Sequence, residues 1–319
     1  MKLGSVAILQ RLDVRARWLI AVLLLLGLAL ARPSLPWQRD VFNTIFVLDI
    51  SQSMNTHDYQ IGVHTVSRLQ VVKDSLSNSL RQIPCGSKVG LAIFTEYRSF
   101  LLLAPIEVCA NYAELSTSIK QVSGKMAWAG GSEVAKGLNW GLKMALAVEP
   151  RPDLVFFTDG HEAPPISLHN RPRIDVKAGQ VRGLLVGVGG DELTPIPKFD
   201  PDGNAVGYWK ADEVLQTDIY SQGRGGSVSG GEMVDADGAL APDPKTRTEH
   251  LSSLKEVYLQ QLAGETGLSY ARLTLPANLA TLMSEAGIGQ QHRVPTPISW
   301  FPALLALTAL VICYLWRAR

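Results

Sequence analysis

The sequence predicts an α/β fold, with a doubly wound, mostly parallel sheet, one antiparallel edge hairpin and helices on both faces, set between two transmembrane helices. Three observations predict it. Short apolar, β-branched runs at residues 41–48, 154–157 and 181–188 alternate with stretches of helical apolar spacing, the signature of parallel strands joined by crossover helices. Residues 88–95 and 99–104 are two strand-like runs joined by the short Glu96-Tyr97-Arg98 connection, which makes a hairpin. Both ends of the chain are apolar, at residues 18–31 and 298–316.

In chain order, residues 1–17 form a basic leader with Arg11, Arg15 and Arg17. Fourteen apolar residues, 18–31, follow and close on Arg32-Pro33. A run that short suits a signal-peptide core, and Ala29-Leu30-Ala31 offers a small-x-small cleavage site. The alternative is an uncleaved anchor over residues 18–37 whose flanking arginines snorkel, and this is the expectation adopted. The first strand, residues 41–48, delivers Asp49 to its carboxyl end. Residues 65–83 then place Val66, Leu69, Val72, Leu76, Leu80 and Ile83 at helical spacing. Helices are expected at residues 112–122 and 133–148, flanking the hairpin and the 154–157 strand.

From residue 191 to about 250 the periodicity fails, and Gly, Pro, Asp and Ser are dense. This reads as an insertion with short strands at 207–209 and 213–215, a mobile loop at 221–243, and Trp209 as a local packing anchor. A helix at 251–265, a strand at 268–273 and a helix at 276–284 complete the domain. Residues 298–316 are a 19-residue uncharged run flanked by Trp300 and Trp316 and closed by Arg317-Ala318-Arg319, long enough to span a bilayer with its basic tail inside. Both ends inside leave the 38–293 domain outside, in the periplasm of a bacterial inner membrane.

With 319 residues there is room for one large domain between the spans, and a net charge of +1 with dispersed Lys and Arg gives no nucleic-acid surface. Two of the three cysteines carry an inference. Cys85 precedes the first hairpin strand and Cys109 follows the second, and their numbers sum to 194, as do those of the cross-strand pair 90 and 104. They face each other across the open end of the hairpin, so a Cys85–Cys109 disulfide is expected in an oxidising compartment. Cys313 lies in the apolar C-terminal run and is expected to be a free thiol.

The chemistry concentrates at Asp49-Ile50-Ser51-Gln52-Ser53. One carboxylate and two hydroxyls on one side of a turn make an all-oxygen set for a hard divalent cation. The same residues serve equally well as turn and capping groups for the next helix. Two later stretches break the tie. Gly130-Gly131-Ser132 opens a helix with a hydroxyl, and Thr158-Asp159-Gly160 ends a second buried strand.

This pattern resembles the von Willebrand factor A (vWA) domain, whose metal-ion-dependent adhesion site (MIDAS) combines D-x-S-x-S with a distant Thr and a distant Asp. The resemblance implies the metal ligands Asp49, Ser51, Ser53, Ser132 (Ser in the Thr position) and Asp159, the last acting through water. It implies a divalent cation, Mg²⁺ first, with Ca²⁺ or Mn²⁺ as alternatives, and a protein partner whose Asp or Glu completes the coordination sphere. His161 and Glu162 follow Asp159 and are expected at the partner-docking rim.

Two narrower resemblances differ in what they imply. Asp49 to Met54, His57-Asp58-Tyr59 and Ser67 to Lys73 resemble Bat-type aerotolerance membrane proteins, which implies a stress-related membrane complex. Thr158 to Pro165 and Gly189 to Pro197 resemble MxaL of methanol-oxidation gene clusters. That implies assistance to assembly or Ca²⁺ insertion of methanol dehydrogenase, alongside other vWA proteins and a MoxR-type AAA+ ATPase. Catalysis fits poorly. A phosphotransferase of the haloacid-dehalogenase type needs an acid where Ser51 stands, and no G-x-S-x-G nucleophile elbow occurs.

Overall fold

Thr44, Ile45, Phe46, Val47 and Leu48 are fully buried, and the strand they form is central to the larger of two units. A computed structural model describes residues 14–127, 130–163, 166, 172–200, 203–214, 248–275 and 279–315. It divides into residues 40–290 and a second unit of residues 1–39 with 291–319.

In the larger unit, β2 (Asn43–Asp49) lies between β7 (Asp153–Thr158) and β5 (Lys88–Thr95) in a six-stranded sheet. The strand order is β13-β8-β7-β2-β5-β6, with β8 at Gly183–Gly187, β13 at Ser269–Arg272 and β6 at Arg98–Glu107. All pairings are parallel except the β5–β6 hairpin at the edge. Alternation along β2 sends Phe46 and Leu48 to one face and Ile45 and Val47 to the other. The first face is covered by α2 (Arg68–Leu80), α3 (Tyr112–Gln121) and α6 (Leu279–Glu285). The second is covered by α4 (Val134–Ala147) and α5 (Glu256–Thr266). Gly137 lets α4 close on the sheet, since a Cβ there would meet the Phe94 ring at 2.1 Å. The doubly wound sheet with its antiparallel edge hairpin is the one expected from the sequence.

Element ends differ where local hydrogen bonding overrides apolar spacing. The helix expected over 65–83 starts at Arg68, because β4 (His64–Val66) pairs with β3 (Tyr59–Ile61) and Ser67 caps the helix by accepting from Gln70 N. The helix expected from 251 starts at Glu256, because β12 (Leu251–Ser252) pairs with β9 (Thr194–Pro195). The insertion also contains β10 (Pro197–Phe199) against β11 (Ala205–Tyr208). Residues 211–214 form a turn rather than the strand expected at 213–215. The loop expected over 221–243 lies outside the described residues, as do residues 276–278 of the helix expected over 276–284.

Cys85 and Cys109 are joined, with Cα atoms 5.2 Å apart, inside the normal disulfide range. The register is not the uniform one expected from the 90 and 104 pair: it shifts on either side of Leu91 with Leu103, to Val89 with Ile106 and Ala92 with Leu101. Glu107 secures the same corner by accepting from Gly86 N at 2.7 Å and Ala110 N at 2.6 Å.

The second unit holds α1 (Val14–Leu30) and α7 (Trp300–Leu315), with β1 (Ser34–Val41) paired to β14 (Gln290–Pro297). Its helices meet through Val22, Ala306 and Ala309, with Trp18 and Leu25 alongside. Both apolar ends are thus helical, with 17 and 16 residues. Among the described residues no helix is long and apolar enough to cross a membrane. Residues 34–37, expected within the N-terminal anchor, belong to β1 instead.

Candidate metal centre

The ends of β2 and β7 lie side by side, because Leu48 pairs with Phe157 and the next residues are Asp49 and Thr158. Asp49 is fully buried. Its Oδ1 accepts from Ser51 N at 2.8 Å and its Oδ2 from Thr158 Oγ1 at 2.6 Å. The chain then turns into a single 3₁₀ turn, Gln52–Asn55, which places Ser51 Oγ and Ser53 Oγ 3.2 Å apart. Ser132 is held by backbone bonds to Ala163 in both directions, at 2.8 and 2.7 Å, ahead of α4. Ser132 is 2% exposed, and its Oγ has no hydrogen-bond partner among the described residues.

Ser51, Ser53 and Ser132 line one cavity of about 260 Å³ with Gln52, Gly130 and Gly131. Across it stand Ile196, Trp209, Glu213 and Val214 of the insertion, with His161, Ala163 and Glu249 completing the wall. The sequence pattern therefore brings its three hydroxyls to one space. Asp49 and Asp159 do not line the cavity and are fully buried.

Asp159 is engaged in a way the sequence reading missed. Arg68 Nη1 donates to its Oδ2 at 2.5 Å, Ser252 Oγ donates to the same oxygen at 3.0 Å, and His161 N donates to Oδ1 at 2.9 Å. Arg68 is itself fully buried. Its Nε and Nη2 donate to Asp58 Oδ2 at 2.9 and 2.7 Å, and it also bonds Ser252 Oγ and carbonyl oxygen. Gly189 makes room for it: at φ +134° a Cβ there would lie 2.9 Å from Arg68 Nε. No local sequence signal pointed to Arg68, whose partners Asp159 and Ser252 lie 91 and 184 residues away.

The two carboxyl groups respond in opposite directions. Burial, reinforced by the Asp159 charge, pushes Asp49 up to about 7, against the bonds from Ser51 and Thr158. Burial, the largest single influence, would raise Asp159 too, but Arg68, His161 and the Ser53 hydroxyl together hold that carboxylate below its ordinary range. His161 is pushed down to about 4 by burial, with the Asp159 charge opposing, so it is a neutral imidazole at pH 7. When ionised, Asp49, Asp58 and Asp159 against Arg68 leave a net charge of −2 around this point, which one divalent cation would balance. A carboxylate and three hydroxyls, one without a partner among the described residues, form a donor set suited to a hard cation.

Glu162 is not at the rim expected of it. It is buried, and its carboxylate accepts from Val134 N and Ala135 N at 3.0 Å each and from Tyr258 OH at 2.5 Å. It thus satisfies two free N–H groups at the start of α4 and ties that helix to α5. His161 does line the cavity, but is only 5% exposed. Trp209, expected as a local anchor, lines the cavity as well.

Residues 44–161 match the family model described as von Willebrand factor type A domain. Among solved structures, an aerotolerance-related membrane protein from Bacteroides fragilis, carrying multiple mutations to serine, is 18% identical with a TM-score of 0.50. That alignment covers 77% of this chain and 98% of the other. A membrane-spanning protein from Vibrio fischeri is 17% identical with a TM-score of 0.29, covering 77% and 96% of the two chains. No curated protein sequence matches. The chain therefore contains a von Willebrand factor type A domain, matched over residues 44–161, and all five expected ligands fall within that stretch.

Proposed function

We propose that this protein is a membrane-anchored module that docks a protein partner through a divalent cation, Mg²⁺ first, with Ca²⁺ or Mn²⁺ as alternatives. The observation that carries the reading is Ser132 Oγ, buried without a partner in a cavity it shares with Ser51 and Ser53. A buried hydroxyl left unpaired is costly, and a cation supplies what it lacks. Asp49, Ser51, Ser53 and Ser132 would hold the ion, and Asp159 would orient its waters while Arg68 fixes that carboxylate. A bound cation supplies Lewis acidity at an open position, where the partner's Asp or Glu binds. The role is binding, not turnover.

The membrane setting rests on the apolar ends and their flanking arginines, which read as a bacterial inner-membrane protein with its domain in the periplasm. The Cys85–Cys109 bridge supports an oxidising compartment. For the biological context, a Bat-type membrane complex is favoured by the fold likeness to the Bacteroides fragilis protein across 77% of this chain. Methanol dehydrogenase maturation, with a MoxR-type ATPase, rests on two short sequence stretches alone.

Calorimetric titration of the full-length protein in detergent with Mg²⁺, Ca²⁺ and Mn²⁺ tests the reading. Wild type should bind one ion, and Asp49→Ala should lose it while keeping its fold. Periplasmic proteins captured by the wild type should be released by chelator. A wild type that binds no ion, or an Asp49→Ala variant that captures the same partner, overturns it.

A further inference from the structure

The helices of the smaller unit fall short of a bilayer by a definite length. The uncharged run of α1 is the fourteen residues 18–31, between Arg17 and Arg32, about 21 Å of helix at ~1.5 Å per residue. A bilayer's hydrocarbon core is about 30 Å thick, with headgroup layers of roughly 5–7 Å on each side. α1 is thus about 9 Å short of the core alone. The next charge after Arg32 is Arg39, and most of β1 lies between them. Residues 34–37, extended at ~3.3 Å each, reach about 13 Å further.

β1 leaves the helix pair where Ile298 N donates to Pro33 O at 2.8 Å, two residues before α7 begins at Trp300. Within four residues of that contact stand large apolar side chains that nothing covers. Leu35 and Trp37, on one face of the strand by alternation, are 51% and 65% exposed. Trp300 is 65% exposed and meets the Phe301 ring edge-on at 5.9 Å. Tryptophan rings favour the headgroup level of a membrane, and the exposed Arg32 and Arg39 bracket Leu35 and Trp37 with charge opposite to lipid phosphates. The backbone sets the depth. β1 and β14 form a two-stranded sheet, so each has one edge unpaired and the ribbon cannot enter the hydrocarbon. The hydrated headgroup layer meets those edges, and Pro36 and Pro297 have no N–H to satisfy.

We infer that the β1–β14 ribbon is a lipid-contacting part of the anchor. Leu35, Trp37, Trp300 and Phe301 sit in the headgroup layer of the outer leaflet and make up the length that α1 lacks. The inference rests on the membrane-anchored reading and deepens it. The occupant of this apolar surface is lipid rather than a protein, because the surface continues directly from the helices and is flanked by cations.

The test uses the full-length protein carrying Cys313→Ser, whose other two cysteines are bridged, in vesicles of phosphatidylethanolamine and phosphatidylglycerol. A nitroxide is attached through Leu35→Cys or, separately, through Leu307→Cys on α7, where the side chain is 57% exposed. Electron paramagnetic resonance compares collisions with oxygen, which concentrates among acyl chains, and with a nickel chelate, which stays in water. The 307 label should meet oxygen and hardly any nickel. The 35 label should fall between it and the same nitroxide on a free peptide in buffer. Adding Trp37→Ser should move the 35 label to the free-peptide value and leave the 307 label unmoved. A 35 label as open to nickel as the free peptide, beside a 307 label in lipid, overturns the inference alone. A 307 label open to nickel overturns the membrane-anchored reading, and the inference with it. A 35 label unmoved by Trp37→Ser overturns the part given to Trp37. The 35 label in the otherwise native chain decides the ribbon's place even if Trp37→Ser fails to fold.

Discussion

Asp49 and Asp159 end neighbouring parallel strands, and neither is exposed at all. Their surroundings differ chiefly in one charged group, Arg68. Arg68 donates to Asp159 and not to Asp49, which is met by Ser51 and the Thr158 hydroxyl. As a result one carboxyl is pushed up to about 7 and the other is held below its ordinary range. Burial is common to both, so the presence of a buried cation decides which stays ionised. Asp159 is a carboxylate whose charge is already balanced, while Asp49 is the one with charge left for a bound cation.

Removing Arg68 should have the largest effect, because it abolishes the difference. Arg68→Met leaves Asp58 and Asp159 buried without their counter-charge, and breaking a buried pair in this way costs about 3–5 kcal/mol. Thermal and denaturant melts of the full-length protein should show that loss at pH 7. Millimolar Mg²⁺ should recover more stability in Arg68→Met than in wild type, since the cation becomes the available counter-charge. A loss below about 1 kcal/mol would mean that Arg68 does not govern the pair.

The single-carboxylate variants come next and should have opposite signs. Asp159→Asn removes a charged hydrogen bond from Arg68, but Asp58 remains to balance the guanidinium. A loss of about 2 kcal/mol is expected. Asp49→Asn removes a buried charge with no cationic partner in the cation-free protein, so its melting temperature without added cation should hold or rise. Equal losses from both variants would break the comparison.

A third carboxylate sharpens the contrast between a cation and neutral donors. Glu162 has three neutral donors, Val134 N, Ala135 N and Tyr258 OH. Burial still pushes it up to about 7, with the Tyr258 bond opposing. Its folded-state value lies above its unfolded one. The stability it contributes is therefore fully present below about pH 4.5 and is lost as pH rises through about 7. At about 1.4 kcal/mol per unit, that loss is of order 3 kcal/mol at most. Glu162→Gln should flatten the fall in melting temperature between pH 4.5 and 7. An unchanged slope would place that titration elsewhere.

Much of this arrangement was legible in the sequence. Buried strands announce themselves by continuous apolar runs, so β2, β7 and β8 were readable, and the disulfide followed from the places of Cys85 and Cys109 beside the hairpin, whose two register shifts were not readable. The hydroxyl floor was readable too, because Ser51 and Ser53 sit within one turn and Ser132 opens a helix. What stayed hidden depends on distant partners. Arg68 reaches Asp159 across 91 residues and Ser252 across 184, and no local pattern encodes such a pairing. Glu162 looked like a rim residue because it follows a loop aspartate. Its role as a cap appears only once α4 and α5 are placed around it. The cavity wall at Trp209 was equally invisible, since the insertion has no periodicity from which to infer its fold.

The smallest effects compare one hydroxyl on each carboxylate. Thr158→Val is nearly isosteric and removes the hydroxyl that donates to Asp49 Oδ2 and accepts from Gly160 N. Ser252→Ala removes one of the bonds to Asp159, which keeps Arg68 and the His161 amide. A neutral hydrogen bond is worth about 1 kcal/mol net. Thr158→Val should cost about that much when Asp49 is ionised at pH 8, and less at pH 5, where protonated Asp49 no longer needs the donor. Ser252→Ala should cost a similar amount or less at both pH values, because Arg68 keeps Asp159 ionised throughout. Melting temperatures of the two variants at pH 5 and pH 8 make the check. If Ser252→Ala shows the larger pH dependence, the assignment of the ionised and protonatable carboxyls is reversed.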